Sequence, residues 1–214
     1  LDVVLTTRLE AALKRLNPWL NDGNLQRAIR EVTHVPAASL LDANEKLYTT
    51  LTRGISVTQD LGHGSRGQQV RYFDFVAPRH NDLVVTRQLR IKGAKKHIIP
   101  DLVLYVNGVP LAVIECKSPT IGEKWEHEAI DQLLRYQELA EKYRDLGAPR
   151  LFHSVQLCVA TCLQDAVYGT VATPERFYLR WKEPWPHELA AIEKQLGRPA
   201  TPQDVLFYGM LTPE

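Results

Sequence analysis

No window of this sequence approaches eighteen consecutive apolar residues, so no segment reads as a membrane-spanning helix. The opening LDVVLTTRLEAALKRLNP lacks the basic-then-apolar layout of a signal peptide. It also lacks an initiator Met, so the chain reads as a piece of something longer. Cysteine is scarce: Cys116, Cys158 and Cys162 are odd in number and suit a reducing cytoplasm better than a disulfide framework. Net charge is small as well, at +1, and together with 44% hydrophobic residues this excludes disorder for most of the chain. There is no internal repeat and no low-complexity stretch. No Gly-x-x-x-x-Gly-Lys-Ser/Thr loop is present either, which excludes ATP binding of the P-loop kind.

What remains is an ordinary globular composition over 214 residues, enough for one large domain with a helical appendage. The periodicity predicts helices over 6–16, 25–32 and 41–51, the first with Leu9, Leu13 and Leu16 on one face. Strand texture follows at 70–76 and 83–91, then in two apolar runs, 98–106 and 109–116, around Asn107-Gly108. Asn-Gly is a strong hairpin signal, and runs apolar on both faces belong in the middle of a covered sheet. A long amphipathic helix is predicted over 123–143, with Trp125, Ala129, Leu133, Tyr136 and Ala140 on its stripe. A buried strand at 155–161, a short strand at 177–181 and a Gly/Pro-marked tail complete the order, which is that of an α/β domain with a mixed sheet.

Charge interrupts the hairpin. Asp101 stands on one strand and Glu115 and Lys117 on the other, in runs that are otherwise apolar. Burying such groups unpaired costs several kcal/mol, roughly 2–7, so they call for a partner. Glu115 and Lys117 are two apart and share a strand face. With Asp101 they make two carboxylates able to grip a hard divalent cation beside an ammonium, a set suited to Mg²⁺ acting on a phosphate. Register sets the condition. A strict two-residue turn pairs Asp101 with Ile114, whereas a bulge pairs it with Glu115, and Pro110, which donates nothing to a ladder, favours the bulge. The other reading is a buried acid–lysine pair that merely orders the sheet.

Pro100-Asp101 followed by Glu115-Cys116-Lys117 resembles the PD-(D/E)xK nuclease motif. The wider text, PDLVLYVNGVPL at 100–111 and IECKSP at 114–119, resembles the N-terminal nuclease domain of the type I restriction endonuclease R (motor) subunit. Gln132 and Tyr136 match a Gln-x-x-x-Tyr motif of that family. Asn44, Gly54, Asp74-Phe75 with Asn81, Gly169-Thr170 and 177–184 extend the match over about residues 40–185. The resemblance implies a restriction-endonuclease-like α/β fold, a mixed central sheet flanked by helices with extra N-terminal helices. It implies cleavage of double-stranded DNA with Mg²⁺ (or Mn²⁺ in its place), within an assembly holding methyltransferase and specificity subunits. ATP would act only through motor domains not in this chain. Asp101, Glu115 and the backbone carbonyl of Cys116 would be metal ligands, Lys117 would position or activate the attacking water, and Gln132 and Tyr136 would support the site.

Three weaker signals stand beside these. Glu45 is a candidate extra metal ligand from the helix before the sheet, or an ordinary exposed acid. Arg87, Arg90, Lys92, Lys95 and Lys96 fall in a stretch with no acidic residue and are candidate DNA contacts, or a solvated edge. Cys158 and Cys162 with His153 lack a second ligand pair and do not read as a zinc site. The expected division is a helical extension at 1–40, a nuclease domain at 41–185, and a C-terminal helix or linker at 186–214 leading toward a motor domain. No membrane association is expected, and the setting is cytoplasmic. The rival reading is a non-catalytic DNA-binding or docking module of the same assembly.

Overall fold

The computed structural model of the chain describes residues 3–213. Helices α1 (Thr6–Leu16), α2 (Asp22–Thr33) and α3 (Leu40–Arg53) come first, each burying one stripe, such as Leu9 and Leu13 on α1 and Leu47 and Leu51 on α3. Asn21 and Ser39 start α2 and α3 by accepting the N–H of Asn24 and Asp42. Helix α3 stops at Gly54 (φ 70°), where a Cβ would stand 2.1 Å from the Val70 carbonyl oxygen, a position only glycine tolerates. The hairpin β1 (Ile55–Asp60) and β2 (Ser65–Val70) shares an apolar cluster with these helices, completed by Tyr72 and Phe73.

Strand β3 (Leu83–Arg87) leads into a short ladder of β4 (Ile91–Lys92) and β5 (His97–Ile98), and then into the hairpin of β6 (Leu102–Val106) and β7 (Val109–Cys116). Helix α4 (Trp125–Tyr136) carries the chain across to β8 (Leu157–Cys162), which lies parallel to β7, and β9 (Asp165–Gly169) closes the sheet. The sheet order is β3-β6-β7-β8-β9, with every other neighbour antiparallel. Strand β7 is therefore central, and Ala112 to Glu115 are all buried on it. One face packs Val103, Val113 and Ala160 against Ala129, Ile130 and Leu133 of α4. After α5 (Leu189–Leu196), α6 (Pro202–Met210) covers the other face, with Leu206 against Ile114, Val159 and Ala166. The mixed sheet flanked by helices, with extra helices at the N-terminus, is the restriction-endonuclease-like layout expected.

The departures have local causes. The run 70–76 is not a strand beyond Val70, because the Asp74 carboxylate folds back onto the Val76 and Ala77 N–H groups and Asn81 brackets Asp74 on both sides. Strands also form at Ile55–Asp60 and Ser65–Val70, whose exposed polar positions blur the alternation, and at Asp165–Gly169, a short run with no exposed position to mark an alternation. The run 83–91 breaks at Gln88 (φ 51°), and 98–106 breaks at Pro100, which has no N–H. Helix α4 ends seven residues short of 143, where Gln137 leaves the helix and Glu138 takes φ 56°, so Ala140 is exposed rather than on the stripe. The 177–181 strand shrinks to a single bridge between Tyr168 and Leu179. Within 186–214, α6 docks on the sheet.

At the hairpin turn Asn107 and Gly108 have φ 50° and 80°, both positive as a tight two-residue connection requires. Asn107 is fully buried and accepts from the Asp82 N–H (2.8 Å) while donating to the Tyr72 carbonyl and Asn81 Oδ1 (both 2.8 Å). The turn is thus bolted to the N-terminal cluster, and Leu5 N–H donates to the Gly108 carbonyl (2.8 Å). Asn107→Ala strands these buried partners and forces a Cβ-branched-free but non-Asn residue into the left-handed region. It should cost about 2–3 kcal/mol and lower Tm by about 5–10 °C in a thermal melt followed by circular dichroism.

Candidate active site

Pairing along the central hairpin begins as a strict two-residue turn dictates, Val106 with Val109 and Tyr105 with Pro110, then shifts so that Leu104 faces Ala112, Val103 faces Val113 and Leu102 faces Ile114. Leu111 is the extra residue. Its carbonyl accepts from the Gln156 N–H (2.8 Å), and the Pro110 carbonyl accepts from the Ser154 hydroxyl (2.8 Å), so the bulge leaves neither group orphaned. Continued one step, this register sets Asp101 opposite Glu115, on the face that carries Val103, Val113 and α4. The Cys116 N–H donates to Asp101 Oδ2 at 2.8 Å, fixing the Asp101 carboxylate against the end of β7.

Glu115 is fully buried at the end of the central strand. Burial, and then the adjoining Asp101 through its charge and a hydrogen bond, push its carboxyl up to about 8, with the Tyr136 hydroxyl and then the Lys117 charge pulling the other way. Burial and the same two acids raise the Cys116 thiol to about 11. Gln132, one helical turn from Tyr136 on α4, joins the parts: its Nε2 donates to Glu115 Oε2 (2.7 Å) and to the Tyr136 hydroxyl (2.7 Å), and its Oε1 accepts from Lys117 Nζ (2.6 Å). Lysine only donates, so the amide has one orientation that satisfies all three bonds. The Tyr136 hydroxyl in turn donates to the Ile99 carbonyl (3.3 Å). Glu115 Oε1 is buried with no hydrogen-bond partner among the described residues.

A buried carboxyl pressed against a second carboxylate is costly to ionise, so it keeps its proton beside Asp101 unless a cation arrives to replace it. Two carboxylates and a nearby backbone carbonyl suit a hard oxygen-seeking ion such as Mg²⁺, which keeps much of its water and takes few protein ligands. The donor chemistry therefore fits that ion.

Asp101, Glu115, Lys117, Gln132 and Tyr136 thus come together, and Cys116 joins through its backbone. Glu45 does not. It is exposed on α3, in a groove between α2 and α3 with Glu31 and His34, and among the described residues no third His, Cys, Asp or Glu joins the acid pair. Of the basic run, Arg87 ends edge strand β3 opposite Leu102, one residue from Asp101, and the Gln88 N–H donates to the Asp101 carbonyl (2.9 Å). Arg90, Lys92 and Lys96 are exposed, while Lys95 is paired with Asp145 (2.6 Å). The anchoring of 99–101 by Gln88 and Tyr136 is tertiary; Pro100, breaking the strand just before Asp101, is its only trace in the sequence. The loop around Gly62 and Gly64 is a hairpin turn whose N–H groups are taken by Asp60.

A family model described as the type I restriction enzyme R protein N terminus matches residues 1–177, beginning well before the stretch that carried the resemblance. A protein of Methanocaldococcus jannaschii assigned as the endonuclease subunit of the type I restriction enzyme MjaIXP is 25% identical over 100% of this chain and 21% of its own length. The endonuclease subunit of the Haemophilus influenzae type I restriction enzyme HindI is 28% identical over 84% of this chain and 16% of its own length. The chain spans about a fifth or less of the length of these relatives.

The raised Glu115 carboxyl has a signed consequence for the metal-free protein. Its proton is held more tightly folded than unfolded, so its contribution is full below the ordinary carboxyl value of 4.5 and is lost as pH rises toward about 8. Thermal melts across that window should show wild type losing ground to Glu115→Gln as pH rises, by no more than about 1.4 kcal/mol per pH unit. Parallel curves would contradict the buried acid pair.

Proposed function

This chain belongs to the family of type I restriction enzyme R protein N termini, and from that premise we propose that it is the Mg²⁺-dependent endonuclease domain of such an enzyme, a PD-(D/E)xK hydrolase of phosphodiester bonds in double-stranded DNA. The observation that carries the reading is the bulge-set meeting of Asp101 and Glu115, with one buried oxygen left open and Lys117 held beside them.

Asp101, Glu115 and the Cys116 carbonyl would hold the ion. When bound, Mg²⁺ supplies Lewis acidity toward the phosphate and lowers the pKa of water. The protein's own groups do the rest. Glu115, once it gives up its proton, contributes an oxygen that no protein donor competes for. Lys117, tethered to Gln132 rather than to either acid, keeps donor capacity for a phosphate oxygen or for the attacking water. Gln132 fixes that ammonium relative to Glu115, and Tyr136, tied to the Ile99 carbonyl, keeps α4 in register with the strand bearing Asp101. The hydrolysis needs no covalent enzyme intermediate.

Arg87, Arg90, Lys92 and Lys96 supply positive charge beside this corner for a DNA backbone. Choice of target, ATP-driven movement and methylation would belong to the motor domains and to methyltransferase and specificity subunits, outside this chain. The setting is cytoplasmic, and among the described residues no helix is long and apolar enough to cross a membrane.

Lys117→Ala and Asp101→Ala, each carried in the complete restriction enzyme, should lower DNA cleavage at least about a hundredfold while ATP-driven activity persists. Calorimetry should show Mn²⁺ binding to wild type and its loss in Asp101→Ala. Cleavage that survives both substitutions would favour the docking-module reading, in which the acids are structural.

A further inference from the structure

We propose that Arg135, His97 and Lys96 form a phosphate pocket beside the acid pair, holding a second phosphodiester of the DNA strand being cut. A cavity of about 150 Å³ lies where the β4–β5 ladder meets the end of α4, lined by these three residues together with Ile98, Ile99, Tyr136 and Leu146. Among the described residues no carboxylate lines it. Its volume admits a phosphate group, and the side chains of the residues around it bring an ammonium, a guanidinium and an imidazole able to donate through one or both ring nitrogens. The guanidinium lies over the Tyr136 ring, with its Cζ 5.5 Å from the centroid. Arg135 Nε is buried with no hydrogen-bond partner among the described residues. A guanidinium with a buried, unsatisfied nitrogen is costly to hold, and an anion in the cavity would set a compensating negative charge beside it. Lys96 and His97 are exposed, and neither is held in an ion pair among the described residues, in contrast to Lys95 on Asp145.

The pocket is continuous with the candidate active site through two walls. Tyr136 presents its ring beneath Arg135 and its hydroxyl to Gln132 and Ile99. Ile99 stands two residues before Asp101, at most about 7 Å of chain, a span on the scale of neighbouring phosphates along one strand. An anion held there would fix the strand relative to the acid pair. The inference rests on the nuclease reading for its purpose, since the pocket positions DNA and does not itself react.

The test measures binding of a short DNA duplex to this chain by fluorescence anisotropy over a series of salt concentrations, alongside Mn²⁺ calorimetry on the same samples. Arg135→Gln should weaken duplex binding about fivefold and reduce the slope of log affinity against log salt by about 0.9, the signature of one lost phosphate contact. His97→Gln and Lys96→Gln, at exposed positions that cannot disturb the core, should each weaken binding in the same direction. They decide the matter should Arg135→Gln fail to fold. Wild-type affinity and slope in all three variants would overturn the proposal, as would a wild-type chain that binds no duplex at low salt. Variants that behave as expected in a chain that binds no Mn²⁺ would leave the phosphate pocket standing and bring down the nuclease reading instead.

Discussion

Side chains along a strand alternate faces, so one extra residue ahead of Glu115 reverses the side of the sheet that its carboxylate meets. Leu111 is that residue, and everything about the corner follows from it. Without it, Asp101 would face Ile114 and Glu115 would point toward α6, away from Gln132. The bulge is stable because Pro110 has no N–H to lose from the ladder, and because Ser154 and Gln156, arriving ahead of β8, take the carbonyls that it frees. The topology reinforces this: the same crossover that makes β8 parallel to β7 lays α4 over the face where the acids emerge.

The energetic character of the corner differs from that of the surrounding protein. Exposed ion pairs such as Lys14–Glu10 and Lys46–Asp42 are screened by water and add little. A buried carboxyl facing a second carboxyl works strongly against the fold unless it keeps its proton or meets a cation. The protein places this conflict at the end of its most buried strand and surrounds it with apolar packing from Val113, Ala160 and Leu133. Gln132 is the one side chain bonded to Glu115, Lys117 and Tyr136 at once, so α4 acts as a splint that prevents the acids from relaxing apart. Local destabilisation of this kind is the usual mark of a site built for a ligand rather than for the fold.

Much of this was legible in the amino-acid order, for reasons that lie in the residues. Asn107-Gly108 announced the hairpin, Pro110 announced its irregularity, and charges inside apolar runs announced Asp101, Glu115 and Lys117. Gln132 and Tyr136 came from the family resemblance, since one helical turn between two polar residues is common on any helix. What stayed hidden was tertiary. The polar strands 55–60 and 65–70 exist because α1 to α3 offer them an apolar surface, which local alternation does not encode. Glu45 was drawn toward the metal by analogy, whereas α3 packs on α2 and on the 149–153 turn, where Asn44 caps the Phe152 and Val155 carbonyls. Arg135 sits inside the Gln-x-x-x-Tyr spacing, and only the fold shows that its neighbours in space are Lys96 and His97.

If the bulge builds a cation site from Asp101 and Glu115, anomalous diffraction from crystals of this chain soaked in Mn²⁺ will show it. One strong peak is expected between the two carboxylates, within bonding distance of Glu115 Oε1 and the Cys116 carbonyl. A peak elsewhere, with Glu115 and Asp101 sharing a proton in a crystal grown above pH 8, would contradict it.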